Sequence, residues 1–329
     1  MTKARDIADN AGQGGGGGKN VIINGAMNVA QRATSATGLG GGSGYYTVDR
    51  YKTQTVGTTA GRYTMEQAGI SDLAGFHNCI KLSCTTADTS IGGSESLLFR
   101  QIIEGQDLQR FAKGTSDAKE FTVSFYVKGN ANATYTCELF DSDNSRQISK
   151  TFSVTTSWTR VILTFPADTT GAFTDDNGVS LYVTIWLVAG PTYSSGTLNS
   201  SAWAAQNVAN RASGSQTNFF DSTSRTLFVT GLQLEVGDKA TDFEHRSFAD
   251  ELHKCQRYFT SGSTYFEDAS SSSGTIVLTT AYYKQSMRAT PTITGASGYT
   301  VDQVNTEGFR IYRASHNIFV NGWAAEAEL

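Results

Sequence analysis

The chain has 329 residues, a formal net charge of −4 and only 17% charged residues. No basic run is present, so the electrostatic footprint of a nucleic-acid binder is missing. No apolar stretch approaches the roughly 20 residues that cross a bilayer, so neither nucleic acid nor a membrane interior is an expected partner. With 34 Gly, 3 Pro and many Gly/Ser/Thr/Asn clusters between short β-prone runs, the composition points to a sandwich or barrel.

Residues 1–19 read as an arm and a linker: "TKARDIADNA" has the length of two or three helical turns, and "GQGGGGG" is a flexible tether. The glycines do not form a phosphate loop, because Gln13 stands five positions before Gly18 and Asn20 follows Lys19 where Ser or Thr is required. The N-terminal stretch also lacks the apolar core of a signal peptide, which implies synthesis in a cytoplasm.

Strand-like runs follow. "FTVSFYV" (121–127) alternates Phe121, Val123, Phe125 and Val127 with Thr122, Ser124 and Tyr126. "VSLYVTIWLV" (179–188) places Val179, Leu181, Val183, Ile185 and Leu187 on one face and Ser180, Tyr182, Thr184 and Trp186 on the other. "TYTCELF", "KTFSV", "RVILTF" and "TLFVTGLQLEV" share this period. Many strands without long amphipathic helices predict an all-β chain: an antiparallel, jelly-roll-like β-sandwich over 20–246.

Two polar stretches imitate functional loops. "DSDNSRQISKTF" (141–152) starts like a calcium loop but has Arg146 in place of the glycine and Phe152 in place of the bidentate acid. It reads as a turn between strands, as does "TDDNG" (174–178). Cys79, Cys84, Cys137 and Cys255 form no CxxC pair and are expected to be free buried thiols.

The densest stretch runs from Glu235 to Arg257, with ten charged residues in 23 positions, two histidines and Cys255. His245 precedes a helical pattern, while His253 and Cys255 lie two apart and do not share a face, so no ligand set for a metal forms. Phe248, Leu252, Cys255 and Phe259 recur as one apolar stripe, capped by Ser247 with Asp250 three positions on. This predicts a connecting helix over 247–260, packing that stripe between the sandwich and a smaller β domain over 261–329. Asp250, Glu251, Lys254 and Arg257 are expected to form its solvated face.

Three stretches together resemble bacteriophage tail-fibre proteins: "NVIINGAMNVAQRATS…GYYTVDRYKTQ" (20–54), "GLQLEVGDKATDFEHRSFADELHKCQRYF" (231–259) and the terminal "QSMRATPTIT" with "NGWAAEAEL". Tyr51 and Asp242 depart mildly from that pattern, where tryptophan and proline are common. The layout from "FTVSFYVKGN" to "VSLYVTIWL" is similar to carbohydrate-binding jelly-roll modules. The resemblance implies a virion appendage that attaches to a host cell surface, built as a homotrimer, with residues 1–19 docking on another virion protein. Phe309, Ile311, Tyr312, Ile318 and Phe319 are expected to be exposed positions that gain from burial against other copies.

A host glycan is the expected ligand, since sugar rings need aromatic faces beside amides, hydroxyls and carboxylates. Tyr182 and Trp186, four apart on the polar face of one strand, are the first candidates, with Trp158, Trp203 and Tyr193 in predicted loops. The competing reading of that strand face is that the helix or a neighbouring subunit covers it. No cofactor is expected. Two other function classes stay open: a purely structural virion protein, and a surface-glycan depolymerase. Depolymerase carboxylates meet in space and leave no sequence spacing, but no catalytic motif such as GxSxG supports an enzyme, so none is expected. Leu252→Asp should loosen the two β units, seen as faster proteolysis within 245–262; unchanged cleavage would count against a joint there.

Overall fold

The computed structural model describes residues 18–57, 59–267, 276–314 and 317–329. The expected docking arm thus lies almost wholly outside the described residues. Two antiparallel sheets face each other. The six-stranded sheet runs in the order β1 (Ser35–Leu39), β4 (Arg62–Gly69), β5 (Asn78–Thr86), β13 (Thr226–Val236), β7 (Phe121–Gly129), β10 (Thr159–Phe165). The seven-stranded sheet runs β12 (Ala204–Ala205), β9 (Arg146–Val154), β8 (Ala133–Asp141), β11 (Val179–Ala189), β6 (Ser96–Glu104), β3 (Lys52–Val56), β2 (Gly44–Tyr45). The predicted antiparallel β-sandwich is the observed fold.

Period-2 alternation sets which faces meet. Phe121, Val123, Phe125 and Val127 from β7 and Leu181, Val183, Ile185 and Leu187 from β11 all enter one core between the sheets. Each such side chain contributes about 1.5–3 kcal/mol when fully buried. The calcium-like stretch is the β8–β9 hairpin, where Asp141 accepts from Lys113 at 2.6 Å and from the Asn144 backbone at 3.1 Å. "TDDNG" is a turn closed by Gly178 N donating to Asp176 at 2.7 Å. All four cysteines are buried free thiols.

After β13 comes the helix α1 (Phe248–Gln256), then two three-stranded sheets: β14 (Phe259–Glu267), β19 (Asn317–Glu326), β16 (Thr292–Thr294), and β15 (Ile276–Tyr282), β18 (Gly308–Ala314), β17 (Thr300–Asp302). Phe309 and Ile311 are 1% and 0% exposed, inside a cluster with Met287, Val320 and Trp323. This corrects the expectation that they lie on the surface: they form the small unit's own core. Tyr312 is half-buried. The side chains of Ile318 and Phe319 lie outside the described residues.

The helix is capped as its sequence predicts, with the Asp250 backbone N–H donating to Ser247 Oγ at 3.1 Å and Ser247 Oγ donating to the Asp250 carboxylate at 2.7 Å. The stripe is only partly as expected. Cys255 and Phe259 are buried, Leu252 is half-buried, and Phe259 opens β14 instead of closing the helix. Phe248 is 59% exposed. Glu251, 8% exposed, is buried where the periodicity expects a solvated residue. Burying a carboxylate requires partners. Glu251 has them: it accepts from the Asn24 backbone N–H at 2.5 Å and from Arg246 at 3.1 Å. Arg257 likewise does not face solvent alone but pairs with Glu104 at 2.8 Å.

The N-terminal stretch is bound into this joint. Asn24 adopts φ 59°, a left-handed conformation that Asn tolerates better than most residues. Its amide donates to the carbonyls of Val29 and Asp49 and accepts from Val29 N–H. Gly25 lies so close to β13 that a Cβ there would sit 2.2 Å from the Leu232 carbonyl oxygen. Gln31 donates to Asp49 and to the Phe259 carbonyl. The Arg32 guanidinium lies 3.8 Å from the Phe259 ring centroid and 3.2 Å from Glu328. Arg50, 1% exposed, pairs with Glu328, donates to the Ile102 carbonyl at 2.7 Å, and lies 3.3 Å from the Tyr258 ring centroid. The stretches that carry the family resemblance therefore meet in one place. Arg50→Met should cost about 3 kcal/mol of unfolding free energy, because it strips Glu328 and the Ile102 carbonyl of a buried donor. Urea unfolding checks this, and a change under about 1 kcal/mol would show that the joint does not depend on this cation.

Candidate functional site

Because odd-numbered residues of β11 enter the core, Tyr182, Thr184 and Trp186 emerge on the outer face of the seven-stranded sheet. Register then determines their neighbours. Tyr182 stands opposite Phe140 of β8 and Ile102 of β6; Thr184 stands opposite Glu138 and Arg100; Arg100 in turn stands opposite Lys52 of β3, and Lys52 opposite Tyr45 of β2.

Two coverings lie on this face and leave a strip between them. At one end, residues 190–217 cross the sheet, fixed by the Ser149 hydroxyl donating to the Arg211 carbonyl (2.8 Å), the Thr136 hydroxyl donating to Gln216 (2.9 Å) and Thr217 N–H donating to the Thr134 carbonyl (2.8 Å). At the other end, Glu104 receives Arg257 and Arg288 from the helix and the C-terminal unit. Between them Tyr182 and Phe140 are half-buried, with ring centroids 5.9 Å apart. The Arg100 guanidinium lies 5.0 Å from the Tyr182 ring centroid and that of Arg211 lies 4.8 Å from Phe140.

The crossing segment resolves the two readings of Trp186. Its ring is 1% exposed, packed 5.1 Å from Tyr193, and its Nε1 donates to Glu138 at 2.9 Å. Trp186 therefore presents no face to a ligand, which corrects the expected pair Tyr182/Trp186: the ring beside Tyr182 on this face is Phe140. Tyr193 is half-buried and serves as the cover of Trp186. Arg211 forks onto Glu138 at 2.7 and 2.9 Å, so the one carboxylate of the strip is held by two donors.

The remaining two candidates are elsewhere. Trp158 is half-buried beside the six-stranded sheet, where its Nε1 donates to Asp72 at 2.9 Å and its ring meets Phe228 edge-on at 6.3 Å. Trp203 is 7% exposed and belongs to the core: its Nε1 donates to the Pro166 carbonyl and Lys113 Nζ lies 5.4 Å from its ring centroid. Among the described residues no group of three His, Cys, Asp or Glu is placed to hold a metal ion.

Sequence reasoning missed Phe140, Arg100, Glu138 and Arg211. A signal existed for two of them: Arg100 in "SLLFRQII" and Glu138 in "TYTCELF" are single charges inside apolar runs. Such residues are costly to bury without a partner. Burial pushes the Arg100 pKa down to about 10, with Glu138 opposing and Arg211 adding to the shift. Lys52 is also lowered, by burial first and by Arg100 second.

The charges beneath Trp203 give a pH dependence. Burial pushes the Asp168 carboxyl up, but hydrogen bonds from Arg146 and Lys113 outweigh it and hold the group below its ordinary value. A depressed carboxylate pKa stabilises the fold above the unfolded value, and that contribution is lost as pH falls through the folded value. Stability should therefore decline as pH falls below about 4, and Asp168→Asn should flatten this limb of the profile, as measured by urea midpoints across pH.

Neither a family model nor a curated protein sequence matches the chain. Among solved structures, the enzymatically active domain of bacteriophage CBA120 tailspike protein 4 aligns over 66% of this chain at 8% identity and TM-score 0.32, the aligned part being 21% of that protein's length. TmCBM61 in complex with β-1,4-galactotriose aligns over 67% of this chain and 99% of its own at 9% identity and TM-score 0.31. The family 11 carbohydrate-binding module of Clostridium thermocellum, in complex with a β-1,3-1,4-mixed-linked tetrasaccharide, aligns over 65% of this chain and 99% of its own at 10% identity and TM-score 0.29.

Proposed function

We propose that the chain is an attachment protein of the phage tail-fibre type, which binds a cell-surface glycan without cleaving it through the strip at Tyr182 and Phe140. The observation that carries this reading is the pair itself. Two half-buried rings lie side by side on one sheet face, with the Arg100 guanidinium 5.0 Å from one centroid and that of Arg211 4.8 Å from the other. Pyranose rings have an apolar C–H face that packs on aromatic surface and a rim of hydroxyls that meets charged and amide groups. Binding without cleavage is supported by Glu138, whose two oxygens already accept from Arg211 and Trp186. A carboxylate so engaged is poorly placed to act as acid or nucleophile.

The virion setting rests on the tail-fibre-like stretches, whose residues converge on the joint around Arg50 and Glu251. In this reading residues 1–19 dock on a neighbouring virion protein and the chain works as a homotrimer. Leu278 and Tyr282 of β15, 52% and 74% exposed, supply apolar surface that other copies would cover.

Labelled protein should bind host cells and lose that binding after periodate oxidation of their surface sugars. Tyr182→Ala and Phe140→Ala should each weaken binding about tenfold while leaving the melting temperature nearly unchanged. Binding that survives both periodate and the double substitution would overturn the reading.

A further inference from the structure

Resting on the glycan reading of the same strip, we infer that the bound sugar carries a carboxylate, received by Arg100 with Lys52 and Arg211 on either side. Arg100 lies in the middle of β6 and is 7% exposed. None of its N–H groups meets an acceptor among the described residues, and its Nε is covered without a partner. Other deeply buried cations in the chain are matched: Arg50 by Glu328, and Lys113 by Asp141 and Asp168. A desolvated guanidinium without a counter-ion is costly, and a planar fork of donors suits a carboxylate.

The surroundings repeat the demand. Thr184 stands directly opposite Arg100, and its Oγ1 is likewise buried without a hydrogen-bond partner. Lys52 stands opposite Arg100 on the other side, and Arg211 forms the far rim. The carboxylates facing this group are already engaged. Glu138 is taken by Arg211 and Trp186, while Glu328 is taken by Arg50 and Arg32; Glu326 faces Lys52 and lies 3.6 Å from Arg32. The hydroxyls of Tyr45 and Tyr182 complete the titratable groups near Arg100, and Tyr45 donates to the Leu329 carbonyl. An acid group entering above Tyr182 would accept from Arg100, with the sugar ring on Tyr182 and Phe140.

The test is an array of uronate- and sialate-bearing oligosaccharides, each beside its carboxyl-reduced counterpart, probed with the full chain at two salt concentrations. The acidic forms should bind, more weakly at high salt, and carboxyl reduction should weaken binding at least about tenfold. Arg100→Gln should lose the same factor on the acidic form and change little on the reduced form. Lys52→Gln, at a half-buried position, should show a smaller loss. If Arg100→Gln does not fold, carboxyl reduction against the unaltered chain together with Lys52→Gln decides the matter. Equal binding of acidic and reduced sugars would overturn the acidic subsite and leave the glycan reading standing. Binding of neither set by the folded chain would overturn both.

Discussion

The arrangement of the molecule depends on one buried cation. Arg50 ties four stretches that are distant in sequence: the N-terminal stretch that contains it, the β6 carbonyl of Ile102, the ring of Tyr258 just after the helix, and the carboxylate of Glu328. A guanidinium has five donors in a rigid plane and cannot be deprotonated in a protein, so once buried it fixes the positions of everything that satisfies it. Arg246 and Glu251 act in the same way beside it, holding the backbone at Asn20, Ile22 and Asn24 against the helix. The C-terminal unit is thereby seated against the end of the seven-stranded sheet.

That seating shapes the candidate site. The outer face of a sandwich sheet is ordinarily open along its length. Here the joint occupies the Glu104 end and residues 190–217 occupy the Trp186 end, which leaves Tyr182 and Phe140 half-buried between them, beside the buried Arg100. The same two coverings desolvate Arg100, which strengthens any electrostatic interaction it can make. The ion pairs that lock the units thus also bound a narrow strip with a buried positive charge.

The charged stretch 235–257 shows why charge density in a sequence is ambiguous. Its apolar stripe and polar face were both read from helical periodicity, and periodicity assigns a carboxylate such as Glu251 to solvent. What reverses that assignment is the Asn24 backbone N–H, which comes from more than two hundred residues away. Arg257 and Glu104 repeat the pattern across a gap of 153 residues.

The sequence by itself determined the strands of the sandwich and the capped start of the helix. Alternation along a strand and the Ser247/Asp250 pair are local properties, decided by residues a few positions apart. It also named Tyr182, because period 2 assigns that residue to the outer face of β11 wherever the strand lies. Only the tertiary structure decided that Trp186 is covered, that Phe309 and Ile311 serve their own core, and that Phe140, Arg100 and Lys52 are the neighbours of Tyr182. Those outcomes depend on strand order, register and which segment crosses which face. They are fixed by contacts between residues far apart in the chain, and no local spacing encodes them.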